Sequence, residues 1–475
     1  MTLSIPPLLQ PTLDLLSAIT PFASVSGQPE QQRALAQWLE DWIGRELHGM
    51  PVLAVSQQTA QNAPPLVHMR IDRQAQKTLV LYNMYDVMPA APAGWEFPPF
   101  SGGISDWPGV GPVFVARGAE NNKGPLAGML MAVKTLCDAG ELDVNLEIIL
   151  EGEEEVGSGQ LRRYLAQDPC PVSPAAAVFF PSLCEYGGGK PRVYLGFSGL
   201  SGGRLRVRGG AWGGPHAAIH ASNSNWIANP LWRLIAALYA IAPAHDSGVL
   251  ARQRVDEEAN TLLRTLAEQF SIKDELRFRH SERLNVSGDT LACLQQLING
   301  AVLNISEIRS DPLEARGVIP HSASAEFALR VPPGIDGEQL LAGIRQTLAR
   351  PEFAGVELEL DDSYPGHRFP FGSAGVNALL ASYQAQDAVP QIWPWAPGCA
   401  PAYTFARVAP AFLLGGLGHG GNAHGVNEFV TLRGLQRFQQ SVTDWIRFFH
   451  HEPSFSAPVE ESAGALRQHP GKSSI

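Results

Sequence analysis

The apolar run Val144–Leu150 passes without a break into Glu151-Gly152-Glu153-Glu154-Glu155-Val156-Gly157-Ser158. The run reads as a buried strand, so several carboxylates stand at its C-terminal end. In an α/β sheet that edge is where ligands and catalytic groups gather. Consecutive carboxylates there repel one another unless a cation, a proton or a partner neutralises them. The octapeptide alone also reads as a solvated acidic turn, and the neighbouring segments decide between the two.

Those segments alternate in type. Gln31–Leu47 spaces Leu35, Leu39, Trp42, Ile43 and Leu47 at the helical period, and Thr78–Tyr82 reads as a strand ending at Asn83-Met84-Tyr85-Asp86. Lys123-Gly124-Pro125 opens a helix that runs to Cys137, with proline in a first turn that tolerates it, and Ala175–Phe180 is a further strand. The pattern predicts an α/β fold with a mixed, mostly parallel sheet flanked by helices. From residue 201 the texture changes. Arg204–Arg208 and Ser324–Arg330 alternate polar and apolar residues as half-exposed antiparallel strands do, with helical stretches at Pro230–Ile241 and Gly337–Leu348. The α/β texture returns with Ala374–Gln384, the apolar Ala411–Leu414 and the helix Leu432–Phe449. The expected organisation is a discontinuous α/β domain over 1–200 and 371–451 and an α+β domain inserted at 201–370. A disordered tail rich in Ser, Pro, Gly and charge is expected at 452–475.

A chain of 475 residues exceeds one ordinary core, which agrees with two domains. Forty-six acidic against 35 basic residues leave a net charge of -11, which disfavours nucleic acid or an anionic membrane as partner. Met1–Phe22 lacks the positive flank and cleavage site of a secretory signal, and no apolar stretch reaches the roughly 18 residues of a spanning helix, so a cytoplasmic protein is expected. The five cysteines contain no C-x-x-C pair, so neither a disulfide framework nor a thiolate zinc site is signalled. Cys184 and Cys399 fall in Gly/Pro-rich loops.

Four segments in order carry a resemblance: Leu81–Pro89, Ala116-Arg117-Gly118-Ala119-Glu120-Asn121-Asn122-Lys123-Gly124, the glutamate octapeptide, and Ala423-His424-Gly425-Val426-Asn427-Glu428. Together they resemble the zinc-dependent exopeptidase and aminoacylase family that includes carnosine dipeptidases, glutamate carboxypeptidase and acetylornithine deacetylase. The resemblance runs from about residue 10 to 450. It implies an α/β catalytic domain with an inserted lid and dimerisation domain, hence a homodimer. It also implies two zinc ions that share a bridging aspartate and polarise a water, with a glutamate as base. On this mapping Glu154 is the general base, Glu155 and His424 are metal ligands, and Asp86 orients the reactive centre.

Three ligand positions depart from the family pattern. Met84 stands at the first histidine, Asn121 at the bridging aspartate and Pro181 at the third carboxylate. Proline offers no donor and a thioether suits zinc poorly, so one of the two ion sites is expected to be lost. Glu155, His424 and the amide oxygen of Asn121 remain for one weakly held zinc, or for none. Asn121 reads equally as a hydrogen-bonding residue in an emptied pocket.

In the middle region His220, followed by Asn229-Pro230, resembles the lid histidine that reaches a dimer partner's site to stabilise an oxyanion. Its spacing is short, and His216 is a rival. Asn304 and Arg330 resemble lid residues that bind the substrate carbonyl or carboxylate; the guanidinium fork of Arg330 suits a carboxylate. His419 and Cys399 are candidates for pocket lining. The expected function is a metallopeptidase-like amidohydrolase acting on a small peptide or N-acyl amino acid. The alternatives are a non-catalytic binding protein and an acyl-transfer or cyclisation enzyme that reuses the base.

Overall fold

A computed structural model of the protein describes residues 9–47, 52–57, 63–242, 248–313 and 316–451. The tail at 452–475 lies outside the described residues.

An eight-stranded sheet runs in the order Val52–Gln57, Leu66–Ile71, Asn145–Glu151, Thr78–Met84, Ala177–Pro181, Phe412–Gly415, Arg192–Tyr194, Gln391–Trp393. The four central strands are parallel, with antiparallel partners towards the margins. The sheet is thus mixed and mostly parallel at its centre, as expected. Period-two alternation sends side chains to opposite faces. Leu79, Leu81, Leu146, Ile148, Phe179 and Leu413 pack on one side against helices that include Pro29–Glu46, Lys123–Ala139, Ala374–Gln384 and Leu432–His451. Val80, Tyr82, Met84, Ile149, Phe180 and Phe412 pack on the other. The parallel strands bring Met84, Glu151, Pro181 and Gly415 to one C-terminal edge.

The second sheet is antiparallel: Val249–Arg252, Gly300–Asp311, Ser322–Val331, Gly196–Arg208, Val356–Tyr364. One face, including Leu205, Val207, Phe327 and Leu329, is covered by the helices Pro230–Ile241 and Gly337–Leu348. The other carries Arg204, Arg206, Glu326 and Glu359 in cross-strand ion pairs. The long strand Gly196–Arg208 joins the two regions, because its first residues pair with His367–Arg368 and Ala396–Cys399. The helices Glu257–Gln269 and Thr290–Asn299 fall in the middle of the sequence. They nevertheless bury Ala259, Leu263, Leu266, Leu294 and Ile298 in the core of the main sheet. An amphipathic stripe shows that a helix is covered without showing which sheet covers it. No helix of the described residues is long and apolar enough to cross a membrane.

Candidate active site

Glu151 ends its strand, and Glu154–Val156 form a single 3-10 turn closed by Gly157 at φ 98°. Gly152 is required within the acidic run: a Cβ there would lie 2.6 Å from the Tyr85 ring. Asp86, fully buried, receives the backbone N–H groups of both Glu154 and Glu155 at 3.2 Å and the Ser26 hydroxyl at 2.7 Å. One carboxylate therefore caps the turn that carries the two central glutamates. Burial pushes Asp86 up to about 7, with the Glu155 charge adding to the rise and the Ser26 bond opposing it. Burial, then the charges of Glu155, Asp86 and Glu151, raise Glu154 well above the usual carboxylate range. Three carboxyls crowd together, so a nearby positive charge is what would free Glu154 to act as a base at neutral pH.

Facing the turn, Asn121 and His424 close on Glu155. Asn121 Nδ2 lies 2.9 Å from Glu155 Oε1 and 3.0 Å from His424 Nε2, and His424 Nε2 lies 2.9 Å from the same Glu155 oxygen. The bond to Glu155 raises the His424 pKa, against an opposing effect of burial. Both loops are held by Glu428, which is fully buried and accepts from the backbone amides of Gly118, Glu120 and Asn121 at 2.8–3.0 Å. Arg117 donates to Glu428 at 2.5 Å and to the His424 carbonyl at 3.1 Å. Glu428 entered the sequence reading only as a flank of His424. Its role as the anchor of the Asn121 loop depends on a partner about three hundred residues away, which no local pattern reveals.

Glu120 is nearly buried and is driven to about 8 by burial and by Glu428 and Glu155. Glu151 accepts from the Tyr82 hydroxyl, while its second oxygen is buried without a partner. Burial drives Glu151 to about 8, opposed by the Tyr82 bond.

Met84 is buried beside Tyr82 and Phe180 in the core cluster of its face. The carbonyl of Pro181 accepts from the side chain of Asn83 at 3.2 Å, and Asn83 Oδ1 accepts from Asn122 at 2.8 Å. Neutral amides and core packing thus occupy the positions that the resemblance gives to a second ion, where neither Met84 nor Pro181 offers a side-chain donor suited to zinc. Among the described residues no three His, Cys, Asp or Glu side chains are gathered as a metal site. For a single ion the set fits in part. A tetrahedral zinc spaces its donors about 3.3 Å apart, close to the 2.9–3.0 Å separations of Glu155, His424 and Asn121. Asn121 must turn its amide to present oxygen.

The remaining residues fall in two groups. Arg330 Nη1 lies 3.3 Å from Cys399 Sγ, which is 3.2 Å from the Gly199 carbonyl oxygen. Burial raises the Cys399 pKa, Arg330 opposes the rise and Glu154 adds to it. The exposed His220 ring bonds to Ser222 at 2.9 Å while its backbone pairs with the strand Val318–Ile319, and Asn304 is exposed on its strand. His216 lines a separate surface cavity with Arg208 and Arg309. The chain does not bring His220, His216 or Asn304 against its own glutamates. His419 contacts the Glu185 carbonyl at 3.1 Å and the Gly188 amide at 3.0 Å, and burial lowers its pKa.

A mostly parallel sheet with an acidic turn, a histidine loop and an amide loop at one edge, joined to a one-sided antiparallel sheet, defines an α/β protein of the hydrolase type. The pattern of Peptidase family M20/M25/M40 matches residues 80–447, and the chain belongs to that family. A Cys-Gly metallodipeptidase of Candida albicans is 24% identical over 402 residues, covering 77% of each chain. Among solved structures, an M20 family metallo-carboxypeptidase from Sulfolobus solfataricus superposes with a TM-score of 0.79 at 23% identity, covering 92% of this chain and 99% of that one. Human carnosine dipeptidase 1 superposes with a TM-score of 0.74 at 18% identity, covering 94% and 100%. These likenesses show the fold.

Proposed function

We propose that this chain is an amidohydrolase that cleaves a small peptide or an N-acyl amino acid, with Glu154 as general base and at most one weakly held zinc. The observation that carries the reading is the contact of Glu155, His424 and Asn121 within 3.0 Å, on the turn that also bears Glu154. In such a site Glu154 takes a proton from the attacking water and returns it to the leaving amine. Asp86 holds the backbone of Glu154 and Glu155 so that the two carboxylates keep separate roles. Arg330, on the second sheet, pairs with the substrate carboxylate. An ion bound by Glu155, His424 and Asn121 would supply Lewis-acid polarisation and a positive charge that lowers the Glu154 pKa. Oxyanion donors then matter more than in a dinuclear site, and each is worth about 100-fold to 1,000-fold in rate. We assign that role to Asn304 and to His220 of a second copy.

The homodimer this requires is supported by one helix, Pro230–Ile241. It buries Leu234, Ala237, Leu238 and Ile241 and exposes Trp232 (71%), Ile235 (45%) and Tyr239 (60%) on its other side. An unpaired state of all five cysteines suits a reducing, cytoplasmic setting.

The test is a panel of Cys-Gly, carnosine-type and N-acetyl amino acid substrates with the Glu154→Gln variant as control. The expected result is turnover by the wild type and a loss of about 100-fold or more in the variant. The alternative of a binding protein is favoured by Met84 and Pro181. Peptide binding without any turnover across the panel would establish it. Acyl transfer to an added amine, blocked by the same variant, would point instead to the transferase or cyclase reading.

A further inference from the structure

Arg162 lies on the short helix Gly159–Leu165, directly after the glutamate turn, and its contacts leave that helix in two directions. Its Nε donates to the Gly157 carbonyl at 3.1 Å, and Gly157 in turn closes the turn by donating to the Glu154 carbonyl at 3.2 Å. Its Nη1 donates to the Ser363 carbonyl at 3.2 Å, and its Nη2 pairs with Asp362. Asp362 and Ser363 belong to the edge strand Val356–Tyr364 of the second sheet. The ladder slips between Leu360 and Ser363, so Asp361 and Asp362 sit in a bulge. A bulge turns side chains out of register, and here it leaves Asp362 free to meet Arg162. The guanidinium lies 5.3 Å from the centre of the Tyr364 ring, which is itself stacked on Tyr403. The same ring abuts Gly157, at 3.8 Å from where a Cβ would stand.

A planar fork with donors on three nitrogens is the side chain able to serve carbonyls on two separate elements and a carboxylate at once. Arg162 is largely buried, whereas Asp362 is 68% exposed. A surface ion pair of that kind contributes little by itself. What the geometry supplies is linkage.

We propose that Arg162 is a positioning residue that couples the second sheet to the glutamate turn, so that a displacement of the strand Val356–Tyr364 is transmitted through the Gly157 carbonyl to Glu154 and Glu155. The catalytic consequence rests on the function proposed above; the mechanical coupling does not. Such a connection sets the glutamates only when the second sheet is in place, and substrate bound by Arg330 on that sheet would reach them by the same route.

Hydrogen–deuterium exchange on the full-length protein tests this without an activity assay. Asp362→Ala does not touch the glutamate turn, yet it is expected to speed exchange in the 153–160 segment about threefold or more, together with the 356–364 strand. Arg162→Lys keeps the charge opposite Asp362 but loses the fork. It is expected to leave the strand near wild type while the turn exchanges faster. The proposal is overturned if Asp362→Ala alters exchange in 356–364 only, or if Arg162→Lys behaves as wild type in the turn. Where the wild type hydrolyses a peptide, kcat is expected to fall in Asp362→Ala with KM little changed. Absence of any hydrolysis refutes the proposed function and leaves the exchange result standing.

Discussion

Asn121→Asp, which puts a carboxylate where the resemblance places the bridging aspartate, tests the proposed metal corner directly. The new carboxylate oxygen would take the place of Nδ2, 2.9 Å from Glu155 Oε1 and 3.0 Å from His424 Nε2. At an effective dielectric constant near 20, two like charges at that separation repel by about 6 kcal/mol. Like-charge repulsion therefore favours an additional proton at the new carboxyl in the metal-free variant. Zinc reverses the sign of the interaction and must release that proton. Even if desolvation offsets three quarters of the electrostatic gain, about 1.4 kcal/mol remains, which is a tenfold tighter complex. Calorimetric zinc titrations at pH 6.5 and 8, in buffers of different ionisation enthalpy, measure affinity and proton release together. The variant is expected to bind at least about tenfold tighter at pH 8, with roughly one more proton released than wild type and a steeper rise of affinity with pH. Equal affinity and equal proton release in the two proteins would show that Asn121 is not at a metal position.

Other expectations follow from the same contacts. Asp86→Asn keeps one acceptor for two amides, so one N–H of the glutamate turn loses its partner at a cost of about 1–3 kcal/mol, measurable by urea denaturation. Arg330→Ala should lower kcat/KM about tenfold to 100-fold for peptides with a free carboxylate and little for their amides, measured by parallel kinetics on the two series. Glu151 is raised to about 8 in the folded chain, so its stabilising contribution is complete below its unfolded pKa, near 4.5, and is lost as pH rises through about 8. Across that window unfolding free energy should fall by up to about 1.4 kcal/mol per pH unit from this group, and Glu151→Gln should remove that component of the slope in denaturant titrations at pH 5.5 and 7.5. A slope identical in the two proteins would contradict the burial of a protonated Glu151.

Much of this arrangement is legible in the sequence because period and punctuation are local. The expected strand at Thr78–Tyr82 and helix from Lys123 match observed elements at Thr78–Met84 and Lys123–Ala139. The expected helix Pro230–Ile241 has the observed bounds. The strand before the glutamates extends one residue further than its apolar run, to Glu151. Glu151 continues the alternation of Glu147 and Ile149 and so shares a face with Tyr82, but a charged residue after an apolar run reads as part of the turn. Met84 continues the core face set by Val80 and Tyr82, which is why a thioether is comfortable at this position. The family resemblance is what joined Glu155, Asn121 and His424, which the structure brings within 3.0 Å of one another. Partners chosen by tertiary geometry were not legible: Glu428 beneath the Asn121 loop, and Asp362 of a bulge opposite Arg162. The placement of Glu257–Gln269 against the main sheet belongs with them, since amphipathicity carries no address.

The central claim is a working base beside a metal site reduced to one ion at most. Metal analysis of protein purified without chelator and then equilibrated with zinc, coupled to dipeptide hydrolysis by wild type and Glu154→Gln, tests it most directly. The account predicts no more than one zinc per chain, with hydrolysis that the variant loses. Two tightly held zinc ions per chain, or turnover undiminished without the Glu154 carboxylate, would contradict it.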